Sequence, residues 1–249
     1  MLACGMNPDG VMAELTGRIG GYSKGKGGSM HMFSKEKHFY GGHGIVGAQV
    51  PLGAGLAFAD KYNKNNNLTF VYFGDGAANQ GQVYETFNMA VLWKLPIIFV
   101  LENNQYAMGT AQSRSTSSPI HERAKAFGMR TEVVNGMDVI EVYNAGLEAA
   151  KYVRAGEGPI LLEMQTYRYR GHSMSDPAKY RTKEEVQKYK SESDPIENLR
   201  EVILFGNYLS EEEMKEIDKS VKLVVNNSAE FAKQSPLPDE AELMTDIYL

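Results

Sequence analysis

The sequence predicts an α/β protein built on a doubly wound parallel sheet. Two apolar, β-rich runs at residues 68–73 and 96–101 are each followed at once by a short polar or glycine-containing motif. The 26 residues from Ala77 to Glu102 are enough for one helix and one strand, which makes the two runs neighbours in a βαβ unit. Further strand and helix patterns alternate after them, as they do in a parallel sheet.

Beyond those two strands, the spacing of apolar and small residues predicts further elements along the chain. In order they are a short helix at 9–15, a helix at 46–62, a helix at about 79–93, a strand at 133–134, an alanine-rich helix at about 138–154 and a strand at 160–164. The helices carry apolar or small residues three or four positions apart, which is the period of one helix face. The strands are short apolar runs, as buried parallel strands are.

Two segments in this region lack such periods. Residues 107–119 are rich in serine and threonine, and we expect a mobile loop there. Residues 166–182 form a long loop that contains arginine, tyrosine, histidine and serine. Because loops of this length inside compact domains tend to be functional, we expect this one to contribute to a site.

After that loop the character of the chain changes. Residues 183–236 are charged and helical in pattern, with Asp194 and Ser210 each placed as a helix N-cap with an acid three residues on. From Pro236 the tail is expected to be an extended strap. We therefore divide the chain into an α/β domain at 1–182 and a helical extension, 183–249, that packs on it.

Length and composition exclude several classes of protein. The 249 residues are enough for one sizeable α/β domain with an appendage. The net charge is −5 and the basic residues are scattered, so no nucleic-acid partner is expected. The mean hydropathy is −0.37 and no apolar run has transmembrane length, so no membrane partner is expected. The single cysteine, Cys4, rules out an internal disulfide and fits a reducing compartment.

The start of the chain is unusual for a parallel α/β domain. Residues 1–5 carry no basic segment and are too short for a signal peptide. The chain begins with a loop and a short helix, where such a domain would normally place a further strand and helix. We therefore expect that N-terminal sequence is missing.

The two motifs at the predicted strand ends carry the chemistry. Asp75 follows the first strand and offers a carboxylate oxygen, and Asn104 follows the second and offers an amide oxygen. Mg²⁺ prefers oxygen ligands and often shares them with substrate phosphates. Gly76 and Ala77 stand where the next helix begins, so their N–H groups suit an anion. Gly-Asp-Gly alone would indicate a tight turn, but the pair of motifs at this spacing favours a metal–diphosphate clamp.

Two glycine-rich stretches match nucleotide-binding motifs only in part. Residues 20–27 lack the Ser or Thr that follows the lysine of a P-loop, and no apolar strand precedes them. Residues 42–47 match the letters of a dinucleotide fingerprint, but the charged residues before them do not suit a buried strand. Neither stretch therefore predicts a nucleotide site.

The clamp resembles the thiamin diphosphate motif, which begins with Gly-Asp-Gly and ends with Asn-Asn. In proteins with that motif the metal ligands are the aspartate, the last asparagine and a backbone carbonyl two residues on. The resemblance therefore implies thiamin diphosphate and Mg²⁺ as cofactors, with Asp75, Asn104 and the Tyr106 carbonyl as the metal ligands.

The resemblance extends over nearly all of residues 14–205. Residues 24–32, 44–53 and 167–177 are similar to segments of the first-component α subunits of pyruvate dehydrogenase, within the thiamin diphosphate-dependent 2-oxo acid dehydrogenase family. This implies oxidative decarboxylation of pyruvate with transfer of the acetyl group to a lipoyl group on the acetyltransferase component. It also implies a heterotetramer of two α and two β subunits, in which this chain is inactive without the β subunit.

Residue by residue, the resemblance implies a set of cofactor contacts. Gly44 and Val46 match positions whose backbone meets the aminopyrimidine ring, and Ile45 matches the bulky residue that wedges the cofactor into its bent shape. Gly76 and Ala77 match contacts to the diphosphate.

Two histidines are implied as catalytic residues. His172 matches a histidine beside the diphosphate and the channel to the active site. His31 matches one that faces the substrate and the incoming lipoyl group, where an imidazole can protonate or orient a reacting group. Either could be a surface residue, but their motifs favour the catalytic role. For His38, His43 and His121 we favour a surface or core position.

One departure from the family bears on regulation and source. Ser173 matches the main inhibitory phosphorylation site of mitochondrial relatives. Lys179 stands where those relatives have a later serine, and one residue is lost nearby. This difference favours loop hydrogen bonding as the role of Ser173. It also favours a bacterial, cytoplasmic protein over one of the mitochondrial matrix.

Two other functions remain open. The chain could be a truncated, non-catalytic α-like protein, although the intact Asp75 and Asn104 favour an enzyme. The same chemistry could act on a branched-chain 2-oxo acid or on acetoin, although such relatives differ from this chain around residues 171–176.

Overall fold

The computed structural model of the protein describes residues 1–247. The described chain forms two compact units. The larger unit is 45–205, and the smaller one combines 1–44 with the described residues from 206 onward. The predicted domain division after residue 182 stays a prediction.

The elements of the described chain alternate in the larger unit as expected for an α/β protein. The strands are β1 (Thr69–Gly74), β2 (Ile97–Asn103), β3 (Tyr106–Ala107), β4 (Thr110–Ala111), β5 (Arg130–Asn135) and β6 (Ile160–Gln165). The α-helices are α1 (Pro8–Leu15), α2 (Gln49–Tyr62), α3 (Gly81–Leu92), α4 (Gln112–Ser115), α5 (Ile120–Lys125), α6 (Val139–Arg154), α7 (Lys183–Glu192), α8 (Pro195–Phe205) and α9 (Glu211–Gln234). Short 3₁₀ helices lie at Leu2–Cys4, Ala77–Asn79 and Glu240–Met244. Within residues 1–247, none of the helices is long and apolar enough to cross a membrane.

The main sheet has the strand order β1-β2-β6-β5, and all of its neighbouring strands are parallel. Helix α3 connects β1 to β2, and α6 connects β5 to β6, which are the crossovers that parallel pairing needs. Gly74 pairs with Glu102, and Asn103 pairs with Gln165, so three strands end at one edge of the sheet.

Helices cover both faces of this sheet. On one face, α2 and α3 pack on strand residues that include Val71, Phe73 and Phe99. On the other face, α6 packs on strand residues that include Ile98 and Val100. Consecutive residues of β2 therefore lie in opposite halves of the core, as strand geometry requires. The predicted α/β fold with a doubly wound parallel sheet is confirmed.

The predicted strands and helices of the larger unit are present, with ends that differ by a few residues. Residues 107–119, where we expected a mobile loop, contain part of the β3–β4 hairpin and α4, and the mobility of the segment stays a prediction. Tyr106 anchors the hairpin, since its ring is buried and its hydroxyl donates a 2.8 Å hydrogen bond to Glu185 Oε1. This partner is distant in sequence, so no local pattern indicates it.

The tail after Pro236 contains a 3₁₀ turn and is not the extended strap that we expected. Asp239 caps the turn by accepting a backbone hydrogen bond of 2.9 Å. Lys26 Nζ lies 2.7 Å from Asp246 Oδ2, and Lys24 Nζ lies 3.0 Å from the same oxygen. These hydrogen-bonded lysines lower the pKa of Asp246 to about 2. Contacts of side chains therefore hold the tail against the glycine-rich loop of the same unit.

Both N-cap predictions are confirmed. In the smaller unit, helix α9 packs on α1, and Ser210 is its N-cap. The Ser210 hydroxyl accepts the Glu213 N–H at 3.2 Å, and the Glu213 carboxylate accepts the Ser210 N–H at 2.7 Å. In the larger unit, Asp194 accepts the Ile196 N–H at 2.9 Å at the start of α8.

Replacing Phe87 by alanine should destabilise the larger unit strongly. Phe87 is fully buried, and its ring centroid lies 4.9 Å from that of Phe99 and 5.9 Å from that of Tyr84. Because the change leaves a cavity, the free energy of unfolding in urea should fall by about 3–5 kcal/mol. The control in the same helix is Leu92→Ala, whose side chain is 71% exposed, with an expected loss of less than about 1 kcal/mol. Equal losses for the two variants would contradict the assigned core.

Candidate functional site

Asp75 lies directly after β1 and is only 3% exposed. Its Oδ2 atom is buried and has no hydrogen-bond partner among residues 1–247. Burial raises the pKa of Asp75, while the backbone N–H groups of Asp75 and Gly76 and the charge of Arg168 act in the opposite direction. A buried oxygen without a partner is costly, so this carboxylate fits a position that takes a cation.

Asn104 and Tyr106 lie just after β2, at the same edge of the sheet. Asn104 Oδ1 accepts the Tyr106 N–H at 3.2 Å, which closes a tight turn. The Tyr106 carbonyl accepts a 3.0 Å hydrogen bond from Arg168 Nη1. Since a carbonyl oxygen has two lone pairs, one remains for another partner. The three predicted metal ligands therefore lie on neighbouring strand ends.

Gly76 and Ala77 follow Asp75 into the 3₁₀ turn Ala77–Asn79, and the longer helix α3 begins only at Gly81. A Cβ atom at Gly76 would lie 2.5 Å from the Cβ atom of Ala107 in the hairpin. Only glycine therefore lets the chain pass this close to the hairpin. The expectation that a helix starts at Gly76 holds only as this single turn.

The loop 166–182 is held to the hairpin by the guanidinium group of Arg168. Arg168 donates to the Tyr106 carbonyl at 3.0 Å, the Met108 carbonyl at 2.6 Å and the Tyr180 hydroxyl at 3.0 Å. Its Nε atom also donates to the Arg170 carbonyl at 3.1 Å. Arg168 therefore fastens the loop to the hairpin. The functional role that the length of the loop indicates stays a prediction.

Asp176 organises the part of the loop that carries His172. Its carboxylate accepts 2.8 Å hydrogen bonds from the His172 N–H, the Ala178 N–H and the Tyr180 hydroxyl. These bonds, above all that from the His172 N–H, hold the pKa of Asp176 below its usual value. The side chain of His172 is exposed. Ser173 Oγ lies 3.1 Å from the hydroxyl of Ser175.

A cluster of tyrosines around Arg181 forms the base of the same loop. The Arg181 guanidinium lies 5.5 Å from the ring centroid of Tyr106 and 5.3 Å from that of Tyr167. The hydroxyls of both tyrosines donate 2.8 Å hydrogen bonds to Glu185 Oε1. Burial, aided by the hydrogen bond to Glu185, raises the pKa of Tyr167 to about 12. No sequence pattern indicates this cluster, apart from the aromatic content of the segment.

The remaining predicted residues belong to other segments of the chain. In the smaller unit, His31 is partly buried, and a Cβ atom at Gly44 would lie 3.5 Å from its Nε2 atom. The structure therefore brings His31 and Gly44 together. Ile45 and Val46 belong to the larger unit, where both are exposed and the Val46 carbonyl accepts a 3.3 Å hydrogen bond from Gln82. Their predicted contacts with a cofactor stay predictions.

A polar network that we did not predict from the sequence surrounds Glu163 in β6. The buried carboxylate of Glu163 accepts the Asn103 side-chain amide at 2.7 Å, and its other oxygen lies 2.8 Å from His121 Nδ1. These residues border a cavity of about 620 Å³ that Gln105 also lines. The signal was available, since Glu163 is the one charged residue in the apolar run at 160–164.

The chain is similar to known proteins over its whole length. The family model described as dehydrogenase E1 component matches residues 1–241. The chain is 63% identical over 250 residues to the pyruvate dehydrogenase E1 component subunit alpha of Rhizobium meliloti, using 100% of this chain and 72% of that protein. The subunit of the same name from Rickettsia bellii is 56% identical over 250 residues, with 100% and 76% covered. The mitochondrial subunit of Dictyostelium discoideum is 53% identical over 252 residues, with 100% and 66% covered.

Arg168→Lys should loosen the loop although it keeps the charge. A lysine ammonium is a compact point charge and cannot reproduce the spread of donors with which Arg168 reaches its acceptors. We expect amide hydrogen exchange of a peptide covering 169–180 to become about tenfold faster by mass spectrometry. The control is Arg170→Lys in the same loop, where the side chain is exposed and exchange should stay unchanged. Unchanged exchange in Arg168→Lys would show that other contacts hold the loop.

Proposed function

Because the chain belongs to the dehydrogenase E1 component family, we propose that it is the α subunit of a pyruvate dehydrogenase first component. The proposed reaction is the oxidative decarboxylation of pyruvate with transfer of the acetyl group to a lipoyl group, dependent on thiamin diphosphate and Mg²⁺. The names of the similar proteins support pyruvate as the substrate. The structural observation that carries the proposal is Asp75, whose buried Oδ2 lacks a hydrogen-bond partner within the described chain at the carboxyl edge of the sheet.

The residues at this edge fit the two cofactors. The Asp75 carboxylate, the Asn104 amide oxygen and the Tyr106 carbonyl are oxygen donors of the kind that Mg²⁺ prefers. Gly76 and Ala77 are the proposed contacts to a diphosphate through their backbone N–H groups. When bound, thiamin diphosphate supplies the electron sink that lets the carboxylate of a 2-oxo acid leave as CO₂.

The chain's own residues hold and orient the reacting groups. Arg168 keeps the Tyr106 carbonyl in place through its 3.0 Å hydrogen bond. We propose that His172 lies beside the diphosphate and that His31 faces the substrate and the lipoyl group. An imidazole can accept or donate a proton there, or orient a group by hydrogen bonding. Gly44, Ile45 and Val46 are the proposed contacts to the aminopyrimidine ring.

We propose a β subunit as the obligatory partner and a lipoyl-bearing acetyltransferase component as the acceptor. The designation of the similar proteins as subunit alpha of a component supports this, because such a name implies further subunits and components. The proposed assembly has two α and two β subunits. The proposed location is the bacterial cytoplasm, with the mitochondrial matrix as the alternative.

Asp75→Asn tests the proposed site in the assembled enzyme. The chain is co-expressed with its β subunit, and pyruvate-dependent reduction of an artificial electron acceptor is measured with thiamin diphosphate and Mg²⁺. The variant keeps the size of the side chain but loses the charged ligand, so we expect activity to fall by at least about 100-fold. It should also lose the rise in melting temperature that Mg²⁺ and thiamin diphosphate confer on the wild type.

The matched control is Asp60→Asn in α2, where the carboxylate bonds the side chains of Asn65 and Asn67. Its activity should stay within about twofold of the wild type. Faster turnover of a branched-chain 2-oxo acid or of acetoin than of pyruvate would replace the proposed substrate. An assembled, cofactor-stabilised complex without activity on any of them would support the non-catalytic alternative.

Mg²⁺ affinity should fall as the pH is lowered. Burial raises the pKa of Asp75, so its proton competes with the metal ion as the pH falls towards that raised value. Above it, the carboxylate is charged and free to bind. Mg²⁺ titrations of the complex between pH 7.5 and 5.5, at saturating thiamin diphosphate, measure the effect. Titrations of free thiamin diphosphate with Mg²⁺ over the same pH range correct for titration of the diphosphate, and an equal pH slope with and without the protein would contradict the role of this carboxylate.

A further inference from the structure

The glycine-rich loop of the smaller unit wraps around a buried carboxylate. Glu14, in α1, is fully buried. Its Oε2 atom accepts the Ser23 N–H at 2.7 Å and the Gly25 N–H at 2.9 Å. Its Oε1 atom accepts the Gly27 N–H at 2.7 Å and the Gly28 N–H at 3.1 Å. Four backbone donors of one loop therefore point at a single side chain.

This arrangement explains why the loop looks like part of a P-loop. Backbone N–H groups that converge on one point form an anion-binding concavity. Here the anion is a carboxylate of the same chain, so the cradle is already filled. Gly21 is needed for the fit, because a Cβ atom there would lie 2.3 Å from Glu14 Oε2. Hydrogen bonds to an ionised group are stronger than those between neutral groups, so the carboxylate strongly constrains the loop.

The loop leads directly to His31. The hydroxyl of Ser23, whose N–H is bound by Glu14, donates a hydrogen bond to the His31 carbonyl. A Cβ atom at Gly27 would lie 2.2 Å from the same carbonyl oxygen, so the two backbone segments are in close contact. Both ends of the turn that carries His31 are therefore fixed, one through Ser23 and one through Gly27 and Gly28. The backbone position of His31 follows from the position of the carboxylate.

We propose that Glu14 is a positioning residue, which sets the imidazole of His31 for the reaction by holding the backbone of residues 23–28. This inference rests on the proposed function, in which His31 faces the substrate and the lipoyl group. Glu14 itself touches neither the substrate nor a cofactor in this scheme. Small displacements of a reacting group reduce rates steeply, so loss of the cradle affects turnover more than binding.

Glu14→Gln tests the cradle without changing the size of the side chain. One oxygen becomes an NH₂ group, which faces backbone donors and cannot accept from them. In the assembled enzyme we expect hydrogen exchange of a peptide covering 22–31 to become at least about tenfold faster. The control is Ala232→Gly in α9, which weakens the same unit at a buried helix position but leaves all four hydrogen bonds to Glu14 in place. Its exchange over 22–31 should match that of the wild type.

Kinetics then separate positioning from general destabilisation. For Glu14→Gln we expect kcat for acetylation of a lipoyl domain to fall about 10- to 100-fold, with KM for pyruvate and affinity for thiamin diphosphate within about twofold of the wild type. Ala232→Gly should keep the wild-type kcat. In a His31→Ala background, Glu14→Gln should reduce kcat by less than about twofold, because the group that it positions is already absent.

A second variant covers the case in which Glu14→Gln does not fold. Ser23→Ala removes only the hydroxyl that bonds the His31 carbonyl, and it should lower kcat about 3- to 10-fold without further effect in the His31→Ala background. Normal kcat for folded Glu14→Gln, or for Ser23→Ala where Glu14→Gln does not fold, would overturn the inference while the proposed function stands. An inactive wild-type complex would overturn the proposed function. Hydrogen exchange over residues 22–31 would then decide by itself whether the segment of His31 is held by Glu14. Where Glu14→Gln does not fold, the same measurement on Ser23→Ala would decide whether the Ser23 hydroxyl holds it.

Discussion

The parallel pairing of β1 with β2 is the constraint on which the candidate site depends. Because Gly74 stands opposite Glu102, the residues that follow the two strands leave the sheet at the same edge. Asp75 and Asn104 thereby come to neighbouring positions although a helix separates them in sequence. Apolar packing on both faces stabilises this register, since a slip of one residue would turn Phe99 towards the opposite face. The geometry of the polar site is therefore set by contacts that are apolar.

Three buried carboxylates lie in the parts of the structure that bear on function, and their hydrogen-bond partners differ. Asp75 keeps one oxygen without a partner among residues 1–247, and its raised pKa records the resulting cost. Glu163 is satisfied by the side chains of Asn103 and His121, and Glu14 by backbone N–H groups. Satisfied carboxylates make their surroundings rigid, whereas an unsatisfied one is free to bind. This contrast supports the proposals that Asp75 binds a ligand and that Glu14 is a positioning residue.

Much of the fold could be predicted because local sequence patterns indicate its strands and helices. The strand at 96–101 is an apolar run, and the one at 160–164 is interrupted only by Glu163. The cap at Ser210 follows from the acid three residues on. The hairpin of β3 and β4 could not be predicted, because its stability depends on Glu185 and Arg168, which are remote in sequence. Local sequence patterns indicate the secondary structure of a segment and which of its faces is buried. They do not indicate which distant side chain stabilises it.

The sequence by itself determined the class of fold, the strands of the main sheet and the oxygen-bearing residues of the proposed metal–diphosphate clamp, including Asp75 and Asn104. These follow from hydrophobic period and from the chemistry of each side chain, which are properties of single residues and near neighbours. Only the tertiary structure decided that Arg168 holds the long loop to the hairpin and that a glycine-rich segment encloses Glu14. The reason is that the partners of a buried charge are set by the three-dimensional fold. Every residue except proline has a backbone N–H group, so no sequence pattern marks the four that bond Glu14.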